Sequence, residues 1–187
     1  MLTRLVIGFI AAFLISGSNI CAAAEWGKES IELFNKGLAA DQAHDYVSAV
    51  QWLQKSSELG YPQAQIFLGL LFTKGDGLPK NAAEGTKWLR RAADEGDNAA
   101  QFYLAMQYVK GEGVPQDNVL AHMWLNLAAL HGQETPWRSN GSVAAFQKSA
   151  GTQRDALAEK MTPAEIAGAP GADNNIRSTD AIAPLKL

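Results

Sequence analysis

Apolar residues recur at helical spacing along most of the chain, and short runs rich in glycine and proline separate the helical segments. One helix is predicted from apolar residues at i, i+3, i+4 and i+7, namely Ala64, Phe67, Leu68 and Leu71. The run 75–79 (GDGLP) ends it, because glycine adopts positive φ easily and proline cannot continue a helix. A second helix follows, with Asn81 as its predicted N-cap and Gly96 at its end. The pattern therefore predicts two helices joined by a tight loop.

This helix–loop–helix pattern repeats after 36 residues. Ten identical pairs carry the repeat: Ala64/Ala100, Gln65/Gln101, Leu68/Leu104, Lys74/Lys110, Gly75/Gly111, Gly77/Gly113, Pro79/Pro115, Trp88/Trp124, Ala92/Ala128 and Gly96/Gly132. Trp52 and Gly60 indicate an earlier copy, whose loop lacks four residues. Such self-similarity is typical of a repeat architecture, in which stacked units share one continuous core. We expect the indoles of Trp52, Trp88 and Trp124 to pack in that core.

The repeated residues resemble the Sel-1-like repeat family, a variant of the tetratricopeptide fold with roughly 36 residues per unit. The resemblance rests on the loops 75–79 (GDGLP) and 111–115 (GEGVP) and on the segment 121–129 (AHMWLNLAA). It implies an all-α fold, an α/α solenoid of antiparallel helix pairs closed by a C-terminal capping helix. The first copy lacks the Gly-x-Gly loop and has Ser56-Ser57 in place of the alanine pair, so it is closer to an ordinary tetratricopeptide unit.

We divide the chain into six predicted segments. They are a signal peptide (1–24), a tetratricopeptide-like repeat (25–61), two Sel-1-like repeats (62–97 and 98–133), a C-terminal capping region (134–167) and a flexible tail (168–187). Apolar residues between Val143 and Met161 predict one capping helix, since a terminal repeat must shield its hydrophobic face. Thr162-Pro163-Ala164-Glu165 predicts the start of a further helix, which Gly168 ends after about one turn.

The first 24 residues have the composition of an export signal. They contain no acidic residue, and the apolar run 5–15 (LVIGFIAAFLI) is too short to span a bilayer, which needs about 20 residues. Ala22-Ala23-Ala24 predicts cleavage after Ala24 and a periplasmic or secreted protein, the alternative being an uncleaved membrane anchor. Cys21 is the only cysteine, and Ile20 fits a lipoprotein signal poorly. After cleavage we expect no stable membrane span, no disulfide and no thiol chemistry.

Charge and side-chain chemistry argue against several function classes. The formal net charge of −3 and a pI near 5.6 argue against a broad nucleic-acid interface. His122 and His131 lie on opposite faces of a continuous helix, and no HExxH or paired-cysteine pattern exists, so no metal site is predicted. The Gly-x-Gly loops hold an acid and continue to no Gly-Lys-Ser/Thr, which argues against phosphate binding. We predict no catalytic residue and no cofactor.

The resemblance implies a concave surface lined by the first helix of each repeat. Leu68 and Leu104 are expected to pack inward, and eight residues are expected to face the groove: Phe34, Leu38, Ile66, Leu70, Thr73, Phe102, Met106 and Val109. Gln63, Thr73 and Gln101 would form its polar rim. A contiguous apolar strip usually marks an interaction site, although the capping helix or a second protomer would cover it equally well.

Two function classes follow. The first is a non-catalytic scaffold that holds an unidentified protein or peptide of the cell envelope in the groove, with the oligomeric state open. The second, also implied by the resemblance, is a cell-envelope hydrolase of the penicillin-binding or β-lactamase-like kind. Arrays of that kind are rich in cysteine, and the chain after Ala24 has none, which favours the scaffold.

Overall fold

The computed structural model describes residues 27–75, 78–130 and 142–168, and all regular secondary structure in these ranges is α-helical. The helices are α1 (27–42), α2 (Tyr46–Glu58), α3 (Pro62–Lys74), α4 (Ala82–Asp94), α5 (Asn98–Lys110), α6 (Asn118–Leu130), α7 (Ser142–Ala158) and α8 (Pro163–Gly168). Successive helices pack as pairs, which confirms the predicted all-α solenoid architecture. The chain forms two compact units, one up to Tyr61 and one from Pro62 onward.

The first unit is the antiparallel pair α1 and α2. The Ser56 hydroxyl donates to the Ser30 carbonyl at 2.6 Å, so the start of α1 meets the end of α2. Gly37 lies directly against Leu53, where a Cβ atom on the glycine would come within 2.7 Å of the leucine side chain. This contact explains the glycine, because the two helices approach too closely for any larger residue.

The second unit begins with the pair α3 and α4, whose backbones touch at two glycines. A Cβ atom on Gly85 would lie 2.5 Å from the Gly69 carbonyl oxygen, and one on Gly69 would lie 2.9 Å from the Gly85 carbonyl oxygen. The corresponding residues of the next pair are Ala105 on α5 and Ala121 on α6, and both are fully buried. Small residues at this crossing therefore set the spacing of both pairs.

The loop that joins the two helices of each pair closes in the same way in both copies. The backbone N–H of Asn81 donates to the Phe72 carbonyl at 2.8 Å, and 36 residues later Asp117 donates to Tyr108 at 3.1 Å. The Asn81 side chain accepts from the Glu84 N–H, which confirms the predicted N-cap of α4. Each loop is thus anchored by its capping residue to the preceding helix.

The second Gly-x-Gly loop packs onto the start of α4. Gly113 has φ of +77°, and a Cβ atom there would lie 2.2 Å from the Ala82 carbonyl oxygen. The Thr86 hydroxyl donates to the Ala82 carbonyl at 2.8 Å and also lies 3.3 Å from the Glu112 carbonyl oxygen. The Lys80 ammonium pairs with the Glu112 carboxylate at 3.1 Å. These contacts explain why glycines flank an acid in this loop, and they join the two pairs of the unit.

The three repeated tryptophans are buried to different extents. Trp124 on α6 is fully buried, as predicted, because α5, α7 and α8 all pack on that helix. Trp88 is half-buried and lies beside the Arg91 guanidinium, 5.8 Å from the ring centroid. Trp52 is also half-buried, under the ammonium groups of Lys36 and Lys55. The prediction that all three are core residues is therefore wrong for Trp52 and Trp88.

The last two helices cover α6. Ala150, Leu157 and Met161 are buried against the core of the second unit, so α7 caps it, although the helix ends at Ala158. The Thr162 hydroxyl accepts from the Glu165 N–H at 3.3 Å, and the Glu165 carboxylate accepts from the Thr162 N–H at 2.7 Å. This reciprocal cap confirms the predicted start of α8.

Several predicted segments lie outside the described residues. They are the signal peptide, part of the capping region and most of the tail, together with Asp76, Gly77 and His131. Within the described ranges, no helix combines the length and the apolar character that crossing a membrane requires.

Candidate functional site

The eight residues predicted to face a groove lie in different environments. In the first unit, Phe34 and Leu38 are half-buried on α1, and the Phe34 ring meets the Tyr61 ring edge-on with centroids 5.3 Å apart. In the second unit, Leu70, Phe102, Met106 and Val109 are half-buried. A binding role for these six residues stays a prediction.

The expectation that Ile66 and Thr73 face a groove needs correction. They are 6% and 7% exposed, and the Thr73 methyl would lie 2.7 Å from a Cβ atom on Gly85. Both residues flank Gly69 at i−3 and i+4, so they share the side of α3 that packs against α4. Gln101, expected on the polar rim, is also fully buried, and its amide donates to the Ala93 carbonyl at 3.3 Å.

At equivalent positions of their repeats, α3 and α5 leave four large apolar side chains partly exposed. They are Phe67, Leu70, Tyr103 and Met106, which we call the α3–α5 face. The first two lie on α3 and the last two on α5, with 36 residues between corresponding members. Phe67 and Tyr103 were missed from the sequence, although their i, i+3 spacing to Leu70 and Met106 was visible. Each lies one position, or 100° of rotation, from the residue chosen instead.

The capping helix covers one edge of this face. Phe146 on α7 lies edge-on to Phe102 and to Tyr103, with centroids 5.9 Å apart in both cases. The capping helix thus covers Phe102 and part of Tyr103, in line with the alternative that this helix covers the apolar strip. Leu70 lies on α3, and within the described residues α7 packs mainly on α6 and α5.

A polar cluster lies between α6 and α7. His122 is 7% exposed, and the Arg154 guanidinium donates to the Asn126 side-chain oxygen at 3.1 Å. Burial lowers the pKa of His122 below its ordinary value, the nearby Arg154 charge lowers the pKa further, and Asp155 opposes this shift. The imidazole is therefore neutral at pH 7 and packs as part of the helix interface.

Acidification should destabilise this interface through His122. Because the folded-state pKa lies below the unfolded value of about 6.5, the unfolded chain binds the proton more readily. The free energy of unfolding should then fall as the pH drops below about 6.5 and level off below the folded-state pKa. Urea denaturation between pH 7.5 and pH 5 should show a steeper loss for the wild type than for His122→Asn. Equal slopes for the two proteins would contradict this assignment.

The described residues offer little for catalysis or metal binding. Within 27–75, 78–130 and 142–168, no three His, Cys, Asp or Glu side chains lie close enough to hold a metal ion. The buried hydroxyls of Ser56, Thr73 and Thr86 donate to backbone carbonyls. Lys80 and Lys110 hold the pKa of the Glu112 carboxyl below its ordinary value, so this acid stays ionised at the loop.

Comparisons with known proteins agree on the repeat. A family model described as the Sel1 repeat matches residues 22–61, 62–97 and 98–133. The fold is similar to that of c5321, a protective antigen present in uropathogenic Escherichia coli strains that displays an SLR fold. The TM-score is 0.64 at 24% identity over 88% of this chain, which spans 34% of that protein. A Sel1 repeat protein from Oxalobacter formigenes gives a TM-score of 0.49 at 26% identity, covering 68% of this chain and 98% of that one. No curated protein matches the chain.

Proposed function

The chain belongs to the Sel1 repeat family, and we propose that it is a non-catalytic scaffold that binds a protein or peptide segment on its first helices. Repeats of this family typically mediate protein–protein interaction, and their fold generally serves as a non-catalytic scaffold. The proposal narrows that general role to one surface, the α3–α5 face.

The observation that supports the proposal is the repeated exposure of large apolar side chains. Phe67 and Leu70 on α3, like Tyr103 and Met106 on α5, are only half-buried, which leaves part of each side chain for a ligand to cover. Burying one such side chain is worth about 1.5–3 kcal/mol, before the entropic costs of association. Several anchors on one face, supplemented by polar contacts, would give micromolar affinity, near −8 kcal/mol.

The place of action that we propose is the cell envelope. The acid-free, apolar composition of residues 1–24 supports export, and cleavage after Ala24 would make Glu25 the first residue of the exported chain, as an intact-mass measurement would reveal. The partner would then be an envelope protein or peptide. Turnover of nitrocefin by the purified protein would support the hydrolase alternative instead.

Two charge substitutions test the binding surface. Leu70→Asp and Met106→Asp should each weaken the binding of short peptides, selected from a displayed random library, by about 10-fold or more, because an apolar anchor is lost. Both variants should remain folded, since these side chains are half-exposed. Fluorescence anisotropy measures the affinity, and thermal melts followed by circular dichroism measure the stability.

Val47→Asp is the matched control for these variants. Val47 lies on α2, outside the α3–α5 face, and is 63% exposed. The same change of chemistry there should leave peptide binding unaltered. Folded Leu70→Asp and Met106→Asp proteins that keep wild-type affinity would remove the face as the binding site.

A further inference from the structure

The helices that carry the α3–α5 face contain no acidic residue. The chain as a whole has 19 Asp and Glu against 16 Lys and Arg. The only charged residues of α3 and α5 are Lys74 and Lys110, each in the last turn of its helix and exposed. In contrast, α1 contains three acidic residues, Glu29, Glu32 and Asp41. Each of the two helices thus carries one positive charge and no negative one, in a protein whose formal net charge is −3.

The two lysines lie on the same side of their helices as the apolar face. Lys74 follows Phe67 by seven residues and Leu70 by four. Lys110 has the same spacing to Tyr103 and Met106. Residues at i, i+3 and i+7 line one side of a helix, so each ammonium group borders the face at the C-terminal end of its helix.

Little negative charge within the described residues neutralises these two ammonium groups. Lys110 lies 4.0 Å from the Glu112 carboxylate, but that carboxylate is hydrogen-bonded to Lys80 at 3.1 Å. Lys74 forms no ion pair with an acidic side chain of the described ranges. Both lysines are exposed at the surface, where a negatively charged ligand beside the apolar face can reach them.

We propose that the α3–α5 face binds a peptide segment in which apolar residues are followed by acidic ones, with the carboxylates placed against Lys74 and Lys110. This inference rests on the proposed function and adds the class of partner. Charge complementarity selects the segment, because a like-charged partner would be repelled from the lysine end of the face. A lysine in the last turn also stabilises its own helix, and the same ammonium group still borders the apolar face.

Three synthetic fluorescent peptides test the proposal. They share one apolar half, taken from a library-selected binder, and end in glutamates, glutamines or lysines. The full-length protein should bind the glutamate peptide about tenfold more tightly than the glutamine peptide, and the lysine peptide most weakly. High salt should bring the three affinities together, because it screens exposed charges.

Variants of the two lysines should change the order of the peptides. The double variant Lys74→Gln/Lys110→Gln should bind the glutamate and glutamine peptides equally. The charge reversal Lys74→Glu/Lys110→Glu should prefer the lysine peptide. The control variant Lys87→Gln/Arg91→Gln, which removes the same charge from α4, should keep the wild-type order.

The outcomes separate this inference from the function on which it rests. If the wild type binds all three peptides equally while Leu70→Asp loses them all, the acidic preference is overturned and the scaffold role stands. If the α4 control also abolishes the preference, the net charge of the protein rather than the two lysines selects the peptide, and the inference is overturned. If no peptide binds the wild type, both proposals fall.

Discussion

Replacement of Trp124 by alanine should lower the free energy of unfolding by about 3–5 kcal/mol, the cost of removing a large aromatic side chain from a packed core. The indole is fully buried on α6, which α5, α7 and α8 all contact. Its Nε1 donates no hydrogen bond within the described part of the chain, so the loss measures packing. Since a small domain has only about 5–15 kcal/mol in total, the variant should melt far below the wild type.

Trp88→Ala is the matched comparison for this result. The residue occupies the same repeat position, but it is half-buried beside Arg91. We expect a loss of only about 1–2 kcal/mol, from partial burial and a cation–π contact. Urea denaturation followed by circular dichroism gives both values. Equal losses for the two variants would mean that burial does not distinguish these indoles.

Gly113→Ala should destabilise the second unit by about 3–4 kcal/mol, more than backbone strain alone would cost. A Cβ atom at this position would lie 2.2 Å from the Ala82 carbonyl oxygen, a backbone atom that cannot move without shifting the start of α4. The positive φ of 77° adds strain for any residue with a side chain. Chemical denaturation and the rate of limited proteolysis should both report the change.

Gly96→Ala separates strain from steric clash. Gly96 has φ of +91°, but a Cβ atom there would meet nothing within 4 Å. Its replacement should therefore cost only the strain of a positive φ, about 1–2 kcal/mol. If Gly113→Ala cost no more than Gly96→Ala, the close approach of the loop to α4 would have no energetic weight.

The repeat and the loop chemistry were predictable because they depend on local residues. Asn81 caps α4 and Thr162 caps α8, since a side chain and a backbone N–H three residues later are enough to form a cap. Likewise, Gly69 and Ala105 lie at close helix contacts because only small residues fit there. Because the sequence repeats after 36 residues, the same capping and small residues recur at equivalent positions of the next copy.

The exposed surface was harder to predict, because periodicity defines a helix face without showing what it meets. Ile66 and Phe67 are both apolar, but Ile66 is buried in the core of the second unit and Phe67 is half-exposed. Burial of the tryptophans depends in the same way on neighbours that do not repeat. Trp124 is buried because α7 packs on its helix, and α7 does not belong to the 36-residue repeat.

The contact between Gly113 and α4 also limits how the array can grow. The loop docks on α4 where Gly113 meets the Ala82 carbonyl oxygen, and the Thr86 hydroxyl lies 3.3 Å from the Glu112 carbonyl oxygen. On α6 the position equivalent to Thr86 is His122, a larger side chain buried beside Arg154 of α7. A further Gly-x-Gly loop therefore could not dock on α6 as this one docks on α4, and α6 ends the series of such contacts.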